Sequence, residues 1–148
     1  MDTPRFSLRV IADPAARPRA YVRRDSFDIG APLTFDVHHA GITALDYLLG
    51  AIAGGIVSGM QESCRRNRIG IGHIEAVIHA ELHNALTSLG VVGETGDPGI
   101  RTLDLKVYVE TTADEADIHR AWEEMLQRSP LWHTFKGLTQ FTLNLEIT

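Results

Sequence analysis

Between Asp46 and Glu62 run fifteen residues without a charge, Tyr47 to Gln61, interrupted by glycine at positions 50, 54, 55 and 59. A membrane span needs about 18 to 20 apolar residues, so this stretch is too short and too rich in glycine to be one. It is predicted to be a buried helix. Thr43 stands three residues before Asp46 in the manner of a capping box, and Leu45, Leu48, Leu49, Ile52, Ile56 and Met60 recur at helical spacing. The helix is expected to reach about Asn67, where Arg65 and Arg66 suit the negative end of the helix dipole and Gly70 and Gly72 mark the exit.

Each helical glycine costs roughly 1 kcal/mol relative to alanine, so a packing gain must offset the four. Positions 50 and 54, 51 and 55, and 55 and 59 lie one turn apart and form a strip of minimal side chains. The strip is expected to admit another backbone, in the core or across a homodimer. A cavity for a small ligand is the other use of such space.

The 148 residues carry 14 basic and 19 acidic side chains, a net charge of −5. With 44% hydrophobic residues a single domain over 1–148 can bury a sufficient core without metal or disulfide staples. An acidic balance argues against a nucleic-acid groove, and the one basic run, Arg65-Arg66-Asn67-Arg68, is too short to reverse that. The single cysteine, Cys64, has no partner for a disulfide or a zinc half-site. The start, Met1-Asp2-Thr3-Pro4-Arg5, lacks a charged segment followed by an apolar one. A cytoplasmic protein with no membrane partner, no metal and no cofactor is expected.

Alternation predicts strands at Phe6–Ile11, Ala20–Arg23, Pro32–Val37, Ile74–Leu86, Ile100–Glu110 and from Phe141 to Ile147. Thr87–Gly99, with four glycines and a proline, reads as a loop or hairpin connection. Thr112 and Glu115 resemble a second capping box that opens a helix reaching Arg128, and Ser129-Pro130 stops it. The class is α+β, with antiparallel sheets and two main helices.

Gly41-Ile-Thr-Ala-Leu-Asp-Tyr-Leu-Leu-Gly-Ala-Ile-Ala-Gly-Gly55 resembles the signature helix of the OsmC/Ohr family, which usually reads Gly-Pro-Ser/Thr-Pro-Leu-Glu-Leu-Leu-Leu-Ala-Ala-Leu-Ala-Ala/Gly-Cys. Arg128-Ser-Pro-Leu-Trp-His-Thr-Phe135 is similar to the family's second signature, opened by Cys-Pro-Val-Ser. The resemblance spans roughly residues 20 to 148. It implies an intertwined homodimer whose long central helices are buried, and the best-known members reduce organic hydroperoxides. Their chemistry uses a peroxidatic Cys on the long helix, a resolving Cys before the Pro, and an Arg/Glu pair. On this resemblance the two Cys positions hold Gly55 and Ser129, the acid is shortened to Asp46, and no Lys or Arg lies between Arg24 and Arg65 to supply the Arg just ahead of the helix.

A peroxidatic step needs a thiolate, and glycine has none. Cys64 lies nine residues beyond Gly55, about half a turn out of phase and roughly 13 Å along the axis. Arg65 and Arg66 are the groups that could lower its pKa, yet a small residue near a helix end is the plainer reading. His79, Glu81 and His83 share one strand face, but alternate residues stand about 7 Å apart, too far to meet one metal ion unaided. His38 and His39, with Asp36 and Asp46 nearby in sequence, lie where the family's site entrance would fall and are candidate ligand contacts, as is Trp132. Ser129 and His133, four apart, allow a hydrolytic pair to be written, although Ser before Pro is also the usual start of a helical turn.

The functional expectation is a homodimeric OsmC-like protein without thiol peroxidase chemistry, binding a small apolar ligand at the dimer interface. The competing expectation is a divergent enzyme that uses Cys64 or a His and carboxylate site.

Overall fold

The structure, a computed structural model, describes residues 3–32, 34 and 41–148. The chain divides into two compact units, 1–47 and 48–148, and the boundary falls inside helix α1 (Ala44–Arg66).

In the first unit β1 (Arg9–Ile11), β2 (Arg19–Val22) and β3 (Asp25–Asp28) form an antiparallel sheet in that order. Arg23 takes a positive φ of 53° in the tight turn joining β2 to β3. Arg19 then lies opposite Asp28, with an ion pair at 2.7 Å, and also donates to Ser26 Oγ. Ala20 is fully buried, and Phe27 stacks obliquely on Tyr47, whose hydroxyl donates to the Asp28 carbonyl at 2.8 Å. The capping box forms as expected: Thr43 N–H donates to Asp46 Oδ2 at 2.9 Å and Asp46 N–H donates to Thr43 Oγ1 at 3.2 Å.

In the second unit β4 (Ile74–Leu82), β5 (Ile100–Val109) and β6 (Gln140–Ile147) form a sheet in the order β4-β5-β6. One face of β5 presents Leu103, Leu105, Val107 and Val109, all buried, to Ile52, Ile56, Met60 and Cys64 of α1 and to Ile118, Ala121, Trp122 and Met125 of α3 (Glu115–Arg128). Both sets recur three or four residues apart, so each helix turns one apolar stripe to the same sheet face. Ser63 Oγ donates to the Ala121 carbonyl at 2.6 Å inside this core, tying α1 to α3.

The structure departs from the expectations in several places. β5 and β6 are parallel, whereas the other strand pairs among the described residues are antiparallel. Parallel neighbours need a long crossover, and the segment from Glu110 to Thr139, with α3 and α4 (Pro130–Phe135), supplies it. The strand predicted over Pro32–Val37 is not seen at residues 32 and 34, and 33 and 35–37 lie outside the described residues. β4 stops at Leu82, because Asn84 caps a short helix α2 (Ala85–Ser88) by accepting from Leu86 N–H and Thr87 N–H. The Thr112 box does not form: Asp114 is the N-cap of α3, and Thr111 Oγ1 accepts from Ala113 N–H while donating to the Gly70 carbonyl. Among the described residues no helix is long and apolar enough to cross a membrane.

Candidate functional site

Gly55, Gly59, Glu62 and Arg66 lie on one face of α1, and opposite them stand Met125 and Arg128 from the end of α3 and the segment Ser129-Pro130-Leu131. Together they line a cavity of about 220 Å³. The two glycines permit the approach. A Cβ built on Gly55 would overlap Leu131 Cδ1, and one on Gly59 would sit 3.0 Å from Met125 Cγ. Leu131 therefore fills the space that a side chain at position 55 would claim.

Ser129 is placed by its role as N-cap of α4. Its Oγ accepts from Trp132 N–H at 3.1 Å, Pro130 occupies the first helical position, and the residue is 8% exposed. His133 does not serve it as a base. Nε2 of His133 lies 3.1 Å from the Gln127 carbonyl, a contact that requires a hydrogen on that nitrogen.

Charge gathers at one end of the cavity. Arg65 donates twice to Glu62, from Nε at 2.9 Å and Nη2 at 2.7 Å, and this hydrogen bonding holds the Glu62 carboxyl below its usual range. Arg66 stands 3.6 Å from Glu62 and 4.0 Å from Glu124, and Arg128 stands 3.4 Å from Glu124. Asn67 Nδ2 donates to Glu124 Oε2 and to the Ser63 carbonyl, both at 2.8 Å, which fixes that carboxylate between the helices.

The other sequence candidates lie elsewhere. Cys64 is 1% exposed, and burial pushes its thiol pKa up. Desolvation sets the direction, and Arg65, which could have lowered this pKa, is engaged by Glu62 instead, in keeping with the plainer reading of a small residue near a helix end. Asp46 closes the capping box in the first unit. Trp132 packs edge-to-face on Phe141, centroids 5.1 Å apart, and is not part of the cavity wall. His38 and His39 lie outside the described residues. His79, Glu81 and His83 are exposed; Glu81 pairs with Arg101 at 2.5 Å, and His83 lies past the end of β4. Among the described residues no group of three or more His, Cys, Asp or Glu could hold a metal ion.

Three features escaped the sequence reading. Leu131 against Gly55 and Met125 against Gly59 are contacts between distant segments that carry no local signal. Arg17, which packs on Gly41, brings a guanidinium to the entrance of α1 from before β2. Gly41 has φ +97°, and a Cβ there would sit 2.6 Å from Arg17 Nη1, so both the turn and the contact require glycine. A larger groove of about 430 Å³, walled by Asn67 to Gly70 and the start of α3, holds none of the sequence candidates.

The family model for OsmC-like proteins matches residues 37–144. The chain belongs to this family. Solved structures agree on the fold over essentially the whole chain. An OsmC-like protein from Mycoplasma pneumoniae superposes with a TM-score of 0.73 at 16% identity, covering 100% of this chain and 98% of that one. An organic hydroperoxide resistance protein OsmC from Legionella pneumophila gives 0.64 at 10% identity, covering 97% and 99%. The organic hydroperoxide resistance protein OhrB of Bacillus subtilis gives 0.60 at 14%, covering 95% and 98%. Identities this low show the OsmC-like fold alone. No curated protein matches the sequence significantly.

Proposed function

We propose that this OsmC-like protein is a homodimeric binding protein without thiol peroxidase activity, holding a small apolar ligand in the cavity beside Gly55 and Ser129. The observation that carries the reading is the pairing of those two positions at one cavity where neither offers sulfur. By resemblance of the motifs they stand where relatives carry the peroxidatic and resolving cysteines. A thiolate is the species that attacks a peroxide and becomes the sulfenic acid. The only thiol of the chain, Cys64, is instead buried in the core, where burial pushes its pKa up.

The lining supports an apolar occupant: Met125, Pro130 and Leu131 face the two glycines. Dimerisation is supported by the exposed face of α1, where Gly50, Ala51, Gly54, Ser58 and Gln61 carry no charge. A second copy packed on that face would run beside Gly55 and Gly59, so that the cavity borders the interface. The competing reading, a divergent enzyme, would need the buried Cys64 thiol to become accessible, or a His and carboxylate site, for which His133 is turned to the Gln127 carbonyl and no metal-holding group of three or more His, Cys, Asp or Glu occurs among the described residues.

Consumption of cumene hydroperoxide with a dithiol reductant tests the proposal. The expected result is no turnover above the reductant alone. Turnover in the parent chain that disappears in Cys64→Ser would overturn it.

A further inference from the structure

We infer that the ligand of this cavity is a short-chain monocarboxylate, its acyl chain against Met125 and Leu131 and its carboxylate held by Arg128 and Arg66. The inference rests on the binding reading above and names the ligand class for the same site.

The three arginines at the cavity's charged end are not equivalent. Arg65 is consumed by Glu62, with two hydrogen bonds at 2.9 and 2.7 Å. Arg66 and Arg128 have only loose ion pairs, at 3.6, 4.0 and 3.4 Å, and neither guanidinium donates a hydrogen bond to another described residue. Both line the cavity, whereas Arg65 does not. A guanidinium presents a planar fork of N–H donors that matches a carboxylate, and these two forks keep their N–H donors outside any hydrogen bond to Glu62 or Glu124. Ser129 Oγ accepts the Trp132 N–H and retains its own hydrogen for donation.

Charge and volume narrow the ligand further. Three guanidinia (Arg65, Arg66, Arg128) face two carboxylates (Glu62, Glu124), which leaves one positive charge in excess on a chain of net charge −5. One excess charge suits a monoanion. A phosphate monoester, close to doubly charged, would meet Glu62 and Glu124 with insufficient compensation. The cavity has a volume of about 220 Å³. It lies below the ~300–1,000 Å³ of sites for larger ligands. A carboxylate bearing four to six carbons in all fits that space and places its tail on the apolar wall.

The test is a titration of the full chain with hexanoate and with hexanamide, its neutral counterpart of equal size, followed by NMR at the Gly55, Gly59 and Ser129 amides and the Met125 methyl. Hexanoate is expected to shift these signals saturably, and hexanamide to bind at least about tenfold more weakly. Arg128→Gln, a substitution of an exposed side chain, is expected to weaken hexanoate by about tenfold and to leave hexanamide unchanged. Equal affinity for the two compounds at these signals overturns the carboxylate inference while leaving the apolar-ligand reading in place. Hexanoate affinity undiminished in both Arg128→Gln and Arg66→Gln also overturns it. Absence of shifts at these signals with either compound overturns both readings.

Discussion

Leu131 Cδ1 stands where the Cβ of any residue other than glycine at position 55 would be built. Substituting Gly55 by alanine therefore sets two effects against each other. Alanine gains about 0.5–1 kcal/mol of helix stability, and displacing Leu131 costs about 1–3 kcal/mol if the side chain cannot turn away. The terminus of a leucine is mobile, and the cavity both residues line gives it room. Gly55→Ala is expected to change the unfolding free energy by less than about 1 kcal/mol. Leu131→Ala is expected to be less destabilising in the Gly55→Ala background than in the parent, with a coupling of at least about 0.5 kcal/mol in urea melts. Strict additivity would show that the two positions do not compete for space.

Gly50 and Gly54 present the opposite case. Nothing lies within 4 Å of a Cβ built on either. In an isolated chain, alanine at both positions would stabilise by about 0.5–1 kcal/mol each through helix propensity. In the proposed homodimer the same methyl groups would push a partner helix away. Light scattering is expected to give twice the 16.3 kDa of one chain for the parent and a mass falling toward one chain for Gly50→Ala/Gly54→Ala. A double variant with unchanged mass and a raised melting temperature would mean that this face of α1 is free.

The parts of the fold that were legible in the sequence are those set by local chemistry. The Thr43–Asp46 box, the run of α1 to Arg66, the alternation of β5 and the Ser129-Pro130 helix start each depend on residues a few positions apart. The β2–β3 hairpin was missed because Asp25-Ser26-Phe27-Asp28 has no apolar alternation, and its turn uses Arg23 rather than Gly or Asn. The parallel pairing of β5 and β6 was missed because direction is decided by the crossover between strands, not by their own pattern. Gly55 and Ser129 were legible as positions through the resemblance, but the cavity was not. Its walls join residues 55–66 to 125–131, and nothing local distinguishes Arg66, which lines it, from Arg65, which turns to Glu62.

Ser129 has a structural duty that is separable from any chemistry. Its side chain satisfies the Trp132 N–H at the start of α4, and Trp132 in turn rests on Phe141 of β6. Loss of an N-cap oxygen costs about 0.5–2 kcal/mol, so Ser129→Ala is expected to lower stability by about 1 kcal/mol. Asn or Asp at this position offers the same acceptor and is expected to restore most of the loss in denaturant melts. Failure of both to rescue would mean that burial of the hydroxyl, not capping, sets its contribution.

The buried thiol supplies a prediction about alkaline pH. Burial raises the Cys64 pKa above its ordinary value near 8.5 because the thiolate is poorly solvated among Ile56, Met60 and the β5 side chains. In the unfolded chain the same thiol ionises at the ordinary value. Below that pH both states hold the proton and Cys64 gives stability no pH dependence. As pH rises from the unfolded pKa toward the raised folded one, the unfolded state loses its proton first and stability falls. Urea midpoints measured between about pH 7 and 10 are expected to fall more steeply in the parent than in Cys64→Ala, whose smaller side chain lowers stability at every pH without this slope. A thiol-specific reagent at pH 8 is expected to label the folded parent only after urea is added. Equal slopes together with rapid labelling of the folded chain would mean that the sulfur is open to solvent, and the case against a thiol mechanism would lose its main support.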